Sequence, residues 1–334
     1  MSKNIWYDFQ KVFSYSALLN FIIGERGVGK TYGAIKHVIN RYLKTGEEFI
    51  YLRRYKTELR SSVPKFFDAI NANNEFENKL YSKNNVFYCD DKPCGYAVCL
   101  STANILKSTS YAKVKTIIFD EFILDKGCYH YLQNEVVQTL DIIETIGRLR
   151  DIKVLFLGNA ISITNPYFTY FNLTLPYKSD IKTFKDGLIL VNYIKNEKYR
   201  KVKKESNFGK LIEGTSYGNY AIDNEFLRDS KAFIKKKGEK ARFFFILVID
   251  NNNYGVWSDY NEGCIYISNQ FDPNCPMRFA LNSKDHDERT LLIRAKASPF
   301  FKNIVNHYRM GLLCFESQQI KNVVMEVLLK CLSY

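Results

Sequence analysis

Leu18-Leu19-Asn20-Phe21-Ile22-Ile23-Gly24-Glu25-Arg26-Gly27-Val28-Gly29-Lys30-Thr31 opens the readable part of the chain. Its first six residues, apolar except for Asn20, read as a short buried strand. Its last eight fit G-x-x-x-x-G-K-[ST] without a mismatch. Ala34, Ile35, Val38, Ile39, Tyr42 and Leu43 then recur at helical spacing, and Gly46 is a helix stop. Phe49 to Leu52 reads as the next strand. Strand, glycine-rich turn, amphipathic helix and strand together begin a βαβ unit, so the expected class is α/β with a mainly parallel sheet.

The chemistry follows from the turn. Gly24, Gly27 and Gly29 let the backbone curl and aim N–H groups at phosphate oxygens. The helix that starts there adds its dipole. Gly24, Glu25, Arg26, Gly27, Val28, Gly29, Lys30 and Thr31 are therefore the candidate ATP-binding residues. Lys30 is placed to reach the β- and γ-phosphates and Thr31 to hold Mg²⁺. Thr116-Ile117-Ile118-Phe119-Asp120-Glu121 is a dense β-branched and aromatic strand ending in two acids. In a parallel sheet this strand end comes beside the phosphate loop, so Asp120 is the second Mg²⁺ residue and Glu121 the candidate catalytic base. An acid beside the metal-binding Asp favours attack by a polarised water over transfer to a small-molecule acceptor.

Other polar residues at strand and helix ends carry two readings each. Asn159 ends the apolar strand Val154 to Leu157 and is either a γ-phosphate or water-orienting residue or a turn asparagine. Arg148 and Arg150 end a helical pattern from Glu135 to Leu149. Either is an arginine-finger candidate, or both merely complement the helix dipole. Lys107, in the polar stretch before the Asp120 strand, has the same status. Arg53, Arg54 and Lys56 surround Tyr55 after the second strand and suit contact with a nucleic-acid backbone; a solvated loop is the plain alternative.

Further along, Glu58 to Phe76 is helical in pattern with an interruption at Pro64. Val86 to Cys89 and Tyr96 to Leu100 read as a hairpin, and Leu188 to Ile194 as a closing strand. The texture changes at Lys195–Lys204, which holds six Lys or Arg. The expected organisation is an ATPase domain over 1–196, a linker over 197–228 and a second α/β domain over 229–334.

The whole chain of 334 residues has 48 Lys plus Arg against 35 Asp plus Glu, a formal net charge of +13. Such a surplus favours a polyanionic partner. Its 8 Cys lack metal-ligand spacing and read as reduced core thiols, fitting a cytosolic setting. No apolar run is long enough to predict a membrane span.

These residues resemble the genome-packaging ATPases of phi29-like phages, small relatives of the terminase motors. The likeness rests on Gly24 to Thr31, on FIYLRRYK at Phe49 to Lys56, on TIIFDEF at Thr116 to Phe122, on Asn159 to Phe168, and on FGKLIEGTSY at Phe208 to Tyr217. It implies an ASCE, RecA-like P-loop domain followed by a smaller RNase H/nuclease-like domain without a cutting site, so nuclease activity is not expected. It also implies a homopentameric ring that docks on the procapsid portal in the host cytoplasm and pumps double-stranded DNA, with a structural RNA as a family feature. ATP would lie between subunits, with Arg148 and Lys107 acting in trans and Lys56 facing the channel. The competing expectation is a DNA-stimulated P-loop ATPase, helicase or nucleotide switch without packaging; residues 197 to 334 show no second ATPase-like lobe.

Overall fold

The computed structural model describes residues 6–102, 111–124, 130–160, 165–176, 179–215, 217–218, 233–293 and 298–332. The chain divides into two compact units, Met1–Ser162 with Asn172–Leu227, and Ile163–Phe171 with Arg228–Tyr334.

The first unit begins with a short helix, α1 (Gln10–Phe13), and strand β1 (Leu19–Gly24), followed by α2 (Lys30–Thr45) and β2 (Glu48–Arg53). The expected helix over 58–76 is two pieces, α3 (Lys56–Ser62) and α4 (Asp68–Ala72), joined by a 3₁₀ turn at Val63–Lys65. Pro64 lies in that turn, where its missing N–H costs nothing. Strands β3 (Leu80–Lys83), β4 (Val86–Cys89), β5 (Lys92–Cys99) and β6 (Val114–Asp120) precede α5 (Glu135–Gly147) and β7 (Lys153–Asn159). After a one-and-a-half-turn helix, α6 (Pro166–Phe171), which groups with the second unit, come β8 (Ile181–Phe184), β9 (Ile189–Tyr193), α7 (Glu197–Glu205) and α8 (Asn207–Ile212).

The nine strands lie in the order β3-β4-β5-β2-β6-β7-β1-β9-β8. From β5 to β9 every neighbouring pair is parallel, and the antiparallel pairs are confined to the two edges. Parallel strands carry helices on both faces and so are apolar on both faces. All six residues of β1 are buried accordingly. Helix α2 turns Ala34, Ile35, Val38 and Ile39 into the core and stops at Gly46, whose φ of 72° suits a left-handed helix end. The β4–β5 hairpin turns on Asp90 and Asp91, both with positive φ, the twist that matches a two-residue turn to its strands.

One strand, β7, separates β1 from β6. The Asp120 strand is therefore not the direct neighbour of the phosphate-loop strand; it is one place removed, the arrangement of ASCE-type P-loop ATPases. The two ends still converge, because β1 registers Gly24 with Asn159 and β6 registers Asp120 with Leu157.

In the second unit, β10 (Arg242–Ile249), β11 (Asn252–Asp259) and β12 (Cys264–Ser268) form an antiparallel meander. Parallel to β10 run β13 (Arg278–Ala280) and then β14 (Leu291–Leu292), while β15 (Leu313–Phe315) runs parallel to β12. A three-strand meander extended by two parallel strands on the β10 side is the strand order of RNase H-like domains. Helices Pro299–Arg309 and Gln318–Leu332 supply Phe301, Ile304, Val305, Ile320, Val323, Val324 and Leu328 to its core. Asp250 lies in the tight β10–β11 turn with positive φ, where the Asp285 carboxylate accepts its backbone N–H and that of Asn251.

The segment read as a linker starts differently from that expectation. Residues 197–212 form two helices within the first unit. The cause is specific: Asn196 caps α7, and Tyr199, Arg200 and Lys203 bond to the loop before α2. Among the described residues, no helix is long and apolar enough to cross a membrane.

Candidate nucleotide site

The glycine-rich loop joins β1 to α2. Gly27 has φ 86° and Gly29 has φ 95°, conformations that an L side chain rarely adopts. These two residues let the chain double back between a buried strand and a helix that starts at Lys30.

Lys30 is only 7% exposed. Its Nζ donates to the carbonyls of Gly24 at 3.1 Å and Glu25 at 2.8 Å and to Oδ1 of Asn159 at 3.1 Å. Burial lowers its pKa from the ordinary 10.5 to about 8, against the attraction of Asp120 and Glu25. Thr31 Oγ1 donates to the Asp120 carboxylate, 3.2 Å from Oδ1 and 3.3 Å from Oδ2. Burial raises the Asp120 pKa, with Glu121 adding to the effect and Arg53, the Thr31 hydroxyl and Lys30 opposing it.

A hydroxyl and a carboxylate in contact are hard oxygen donors. They suit a small divalent cation that takes one or two protein oxygens and completes its shell with phosphate and water. No group of three or more His, Cys, Asp or Glu placed to enclose a metal occurs among the described residues.

Glu121 follows at φ 57°, a left-handed backbone that is uncommon for a non-glycine residue. Its side chain is 58% exposed, and Oε2 accepts from Arg53 Nη2 at 2.6 Å. The strained backbone turns the carboxylate out of the sheet beside Asp120, the posture of a group that acts on something outside the core.

Arg53 and Arg54 are not available to a nucleic-acid backbone in this structure. Arg53 is 8% exposed and, besides Glu121, donates to Glu58 at 3.3 Å and lies 3.8 Å from Asp120. Arg54 is 1% exposed and forms a two-pronged pair with Glu135, 2.7 Å from Nε and 2.8 Å from Nη2. It also donates to the carbonyls of Glu121 and Phe122. The physical reason is topological. β2 lies against β6, so cations at the end of one strand meet the acids at the end of the other. Lys56 differs: it opens α3 and is exposed.

The two arginine-finger alternatives separate as well. The Arg150 guanidinium turns inward and donates to the carbonyls of Tyr111, Ala112, Val114 and Ile146. Arg148 caps α5 with φ 50° and is exposed, next to a fully exposed Leu149. Lys107 lies outside the described residues.

Sequence reasoning missed three partners of the loop, Tyr199, Arg200 and Lys203. Glu25 is fully buried and accepts from Arg200 Nε at 2.6 Å. Tyr199 and Lys203 both donate to the carbonyl of Arg26. The available signal was the spacing of Tyr199, Arg200 and Lys203, which share one face of α7.

Comparison with known proteins gives the chain's family. Residues 1–332 match the family described as Podovirus DNA encapsidation protein (Gp16). The chain is 37% identical to the DNA packaging protein of Bacillus phage phi29 over 332 residues, 99% of each chain. It is similar to a chain of the bacteriophage Phi-29 viral genome packaging motor assembly, with a TM-score of 0.78 and 36% identity over 98% of this chain and 100% of that one. It is also similar to the N-terminal domain of the DNA packaging ATPase from bacteriophage phi29, with 38% identity over 59% of this chain and 100% of that one, at a TM-score of 0.54.

Proposed function

Since this chain belongs to the podovirus DNA encapsidation protein family, we propose that it is the ATPase subunit of a phage genome-packaging motor, hydrolysing ATP to drive double-stranded DNA into a preformed procapsid. The observation that carries the ATPase reading is the convergence of Lys30, Thr31, Asp120 and Glu121 at the C-terminal ends of β1 and β6 and the start of α2.

Each residue has a physical task. The N–H groups around Gly27 and Gly29 and the N-terminus of α2 bind the phosphates. Lys30 sits over the loop and meets the β- and γ-phosphates. Asn159 fixes its ammonium through Oδ1. Thr31 and Asp120 would hold Mg²⁺, which when bound neutralises charge on the β- and γ-oxygens. Glu121 orients the attacking water and takes its proton. In the present conformation Arg53 Nη2 donates to Oε2 of that carboxylate.

A subunit with its own phosphate loop and an exposed Arg148 at a helix end fits a ring in which Arg148 reaches a neighbour's γ-phosphate. Lys56 is the residue we assign to the DNA backbone; contact with phosphates alone suits a motor that must be indifferent to base sequence. We assign the ring five subunits, a docking place at the capsid portal in the host cytoplasm, and a structural RNA as an additional partner. The second unit is assigned no cutting activity.

The direct test is Glu121→Gln. ATP binding should persist while turnover falls by at least roughly a hundredfold, the usual scale of a lost general base. A variant that hydrolyses at the normal rate removes Glu121 from that role.

A further inference from the structure

Helix α7 lies on the phosphate loop through an ion pair whose acid is buried and whose arginine is partly exposed. Glu25 is the second residue of the loop and its side chain is completely buried. Its Oε1 accepts from Arg200 Nε, and among the described residues its buried Oε2 has no partner. The same residue's backbone carbonyl accepts from Lys30 Nζ. Two further bonds hold α7 down, from Tyr199 Oη at 3.1 Å and Lys203 Nζ at 2.9 Å, both to the Arg26 carbonyl. The fit is close: a Cβ added at Gly27 would meet Tyr199 Oη at 2.6 Å.

A buried carboxylate inside a polyphosphate site is electrostatically adverse. It repels the incoming charge and, unpaired in a low-dielectric setting, is costly in itself. It also draws on Lys30, because Glu25 favours the lysine's charged form while Lys203 opposes it. The loop tolerates an acid at position 25 only with a cation beside it, and α7 supplies that cation.

We propose that Arg200 is a positioning residue for nucleotide binding: by pairing with Glu25 it neutralises the loop's buried carboxylate, which would otherwise repel the incoming phosphates. This rests on the reading of Gly24–Thr31 as the ATP site. It makes α7 part of the nucleotide site, although its own side chains need not touch ATP.

The pair makes a charge-specific prediction. Arg200→Gln leaves Glu25 uncompensated and should raise the Kd for Mg·ATP at least roughly tenfold, with a larger effect on KM than on kcat. Glu25→Gln removes the repulsion while keeping the arginine, and should tighten binding. The double variant should bind clearly better than Arg200→Gln alone, since the carboxylate that needed a partner is gone. A role confined to holding α7 in place would leave the double variant as weak as the single.

The experiment is equilibrium dialysis with radiolabelled ATP and Mg²⁺ on the full chain, for wild type, the three variants and Lys30→Ala, alongside steady-state kcat and KM. Wild-type affinity in Arg200→Gln, or a double variant no better than that single one, overturns the proposal. Should Arg200→Gln not fold, Glu25→Gln decides: tightened binding supports the pair, and weakened binding overturns it. Failure of the underlying site would look different, with Lys30→Ala binding ATP as well as wild type.

Discussion

Lys30 is the residue whose chemistry most constrains the site. Its ammonium is buried, and burial brings its pKa to about 8. Phosphate oxygens favour the charged form and raise that value on binding. The sign follows. Below pH 8 free and bound forms are both protonated, and affinity is level. Above pH 8 the free form has lost its proton and must regain it to bind, so Kd for ATP rises, approaching roughly tenfold per pH unit until the pKa of the bound form is reached. Dialysis with labelled ATP between pH 7 and pH 9.5 checks this, and calorimetry in buffers of different ionisation enthalpy reads the proton uptake directly. A flat affinity across that range would show that Lys30 keeps its charge without phosphate.

At the scale of elements, the end of β2 shows where local reading stops. Arg53-Arg54-Tyr55-Lys56 looks like a basic loop, and as a string nothing distinguishes its cations. The fold separates them completely: two are buried against Glu58, Asp120, Glu121 and Glu135, and one is exposed. That outcome depends on β2 lying next to β6 and on α5 starting with a buried Glu135, both long-range facts. The glycine loop, by contrast, was legible because its geometry is set by neighbours in the chain. Asp120 and Glu121 were legible for a related reason, as the end of a dense apolar strand has only one side to face. The pairing of Glu25 with Arg200 was not, since 175 positions separate them. The Arg54–Glu135 pair gives a stability prediction for these elements. Both side chains are fully buried, so Arg54→Ala strands a carboxylate and should cost about 3–5 kcal/mol of unfolding free energy. Denaturant titration measures this. A loss under about 1 kcal/mol, typical of a surface pair, would mean that the pair is not buried as described.

At the scale of the molecule, the strand order of both units was foreseeable in class but not in detail. Apolar runs at strand spacing announce an α/β chain. They do not say that β7 inserts between β1 and β6, or that residues 197–212 return to the phosphate loop. Several of the cations in the first unit neutralise buried acids, while Lys56 and the outer positions of α7 face solvent. The motor proposed above relies on two things that a lone subunit lacks, a finger in trans and DNA to grip. Both make ATP turnover a property of the assembly.

That dependence is the most direct test of the account: steady-state ATP turnover per subunit, measured against protein concentration with and without double-stranded DNA, for the wild-type chain and Arg148→Ala. The account predicts a wild-type rate that climbs with concentration and climbs further with DNA, and an Arg148→Ala rate that stays low at every concentration. A rate per subunit that is independent of both concentration and DNA would contradict it, leaving an ATPase whose catalytic site is complete within one chain.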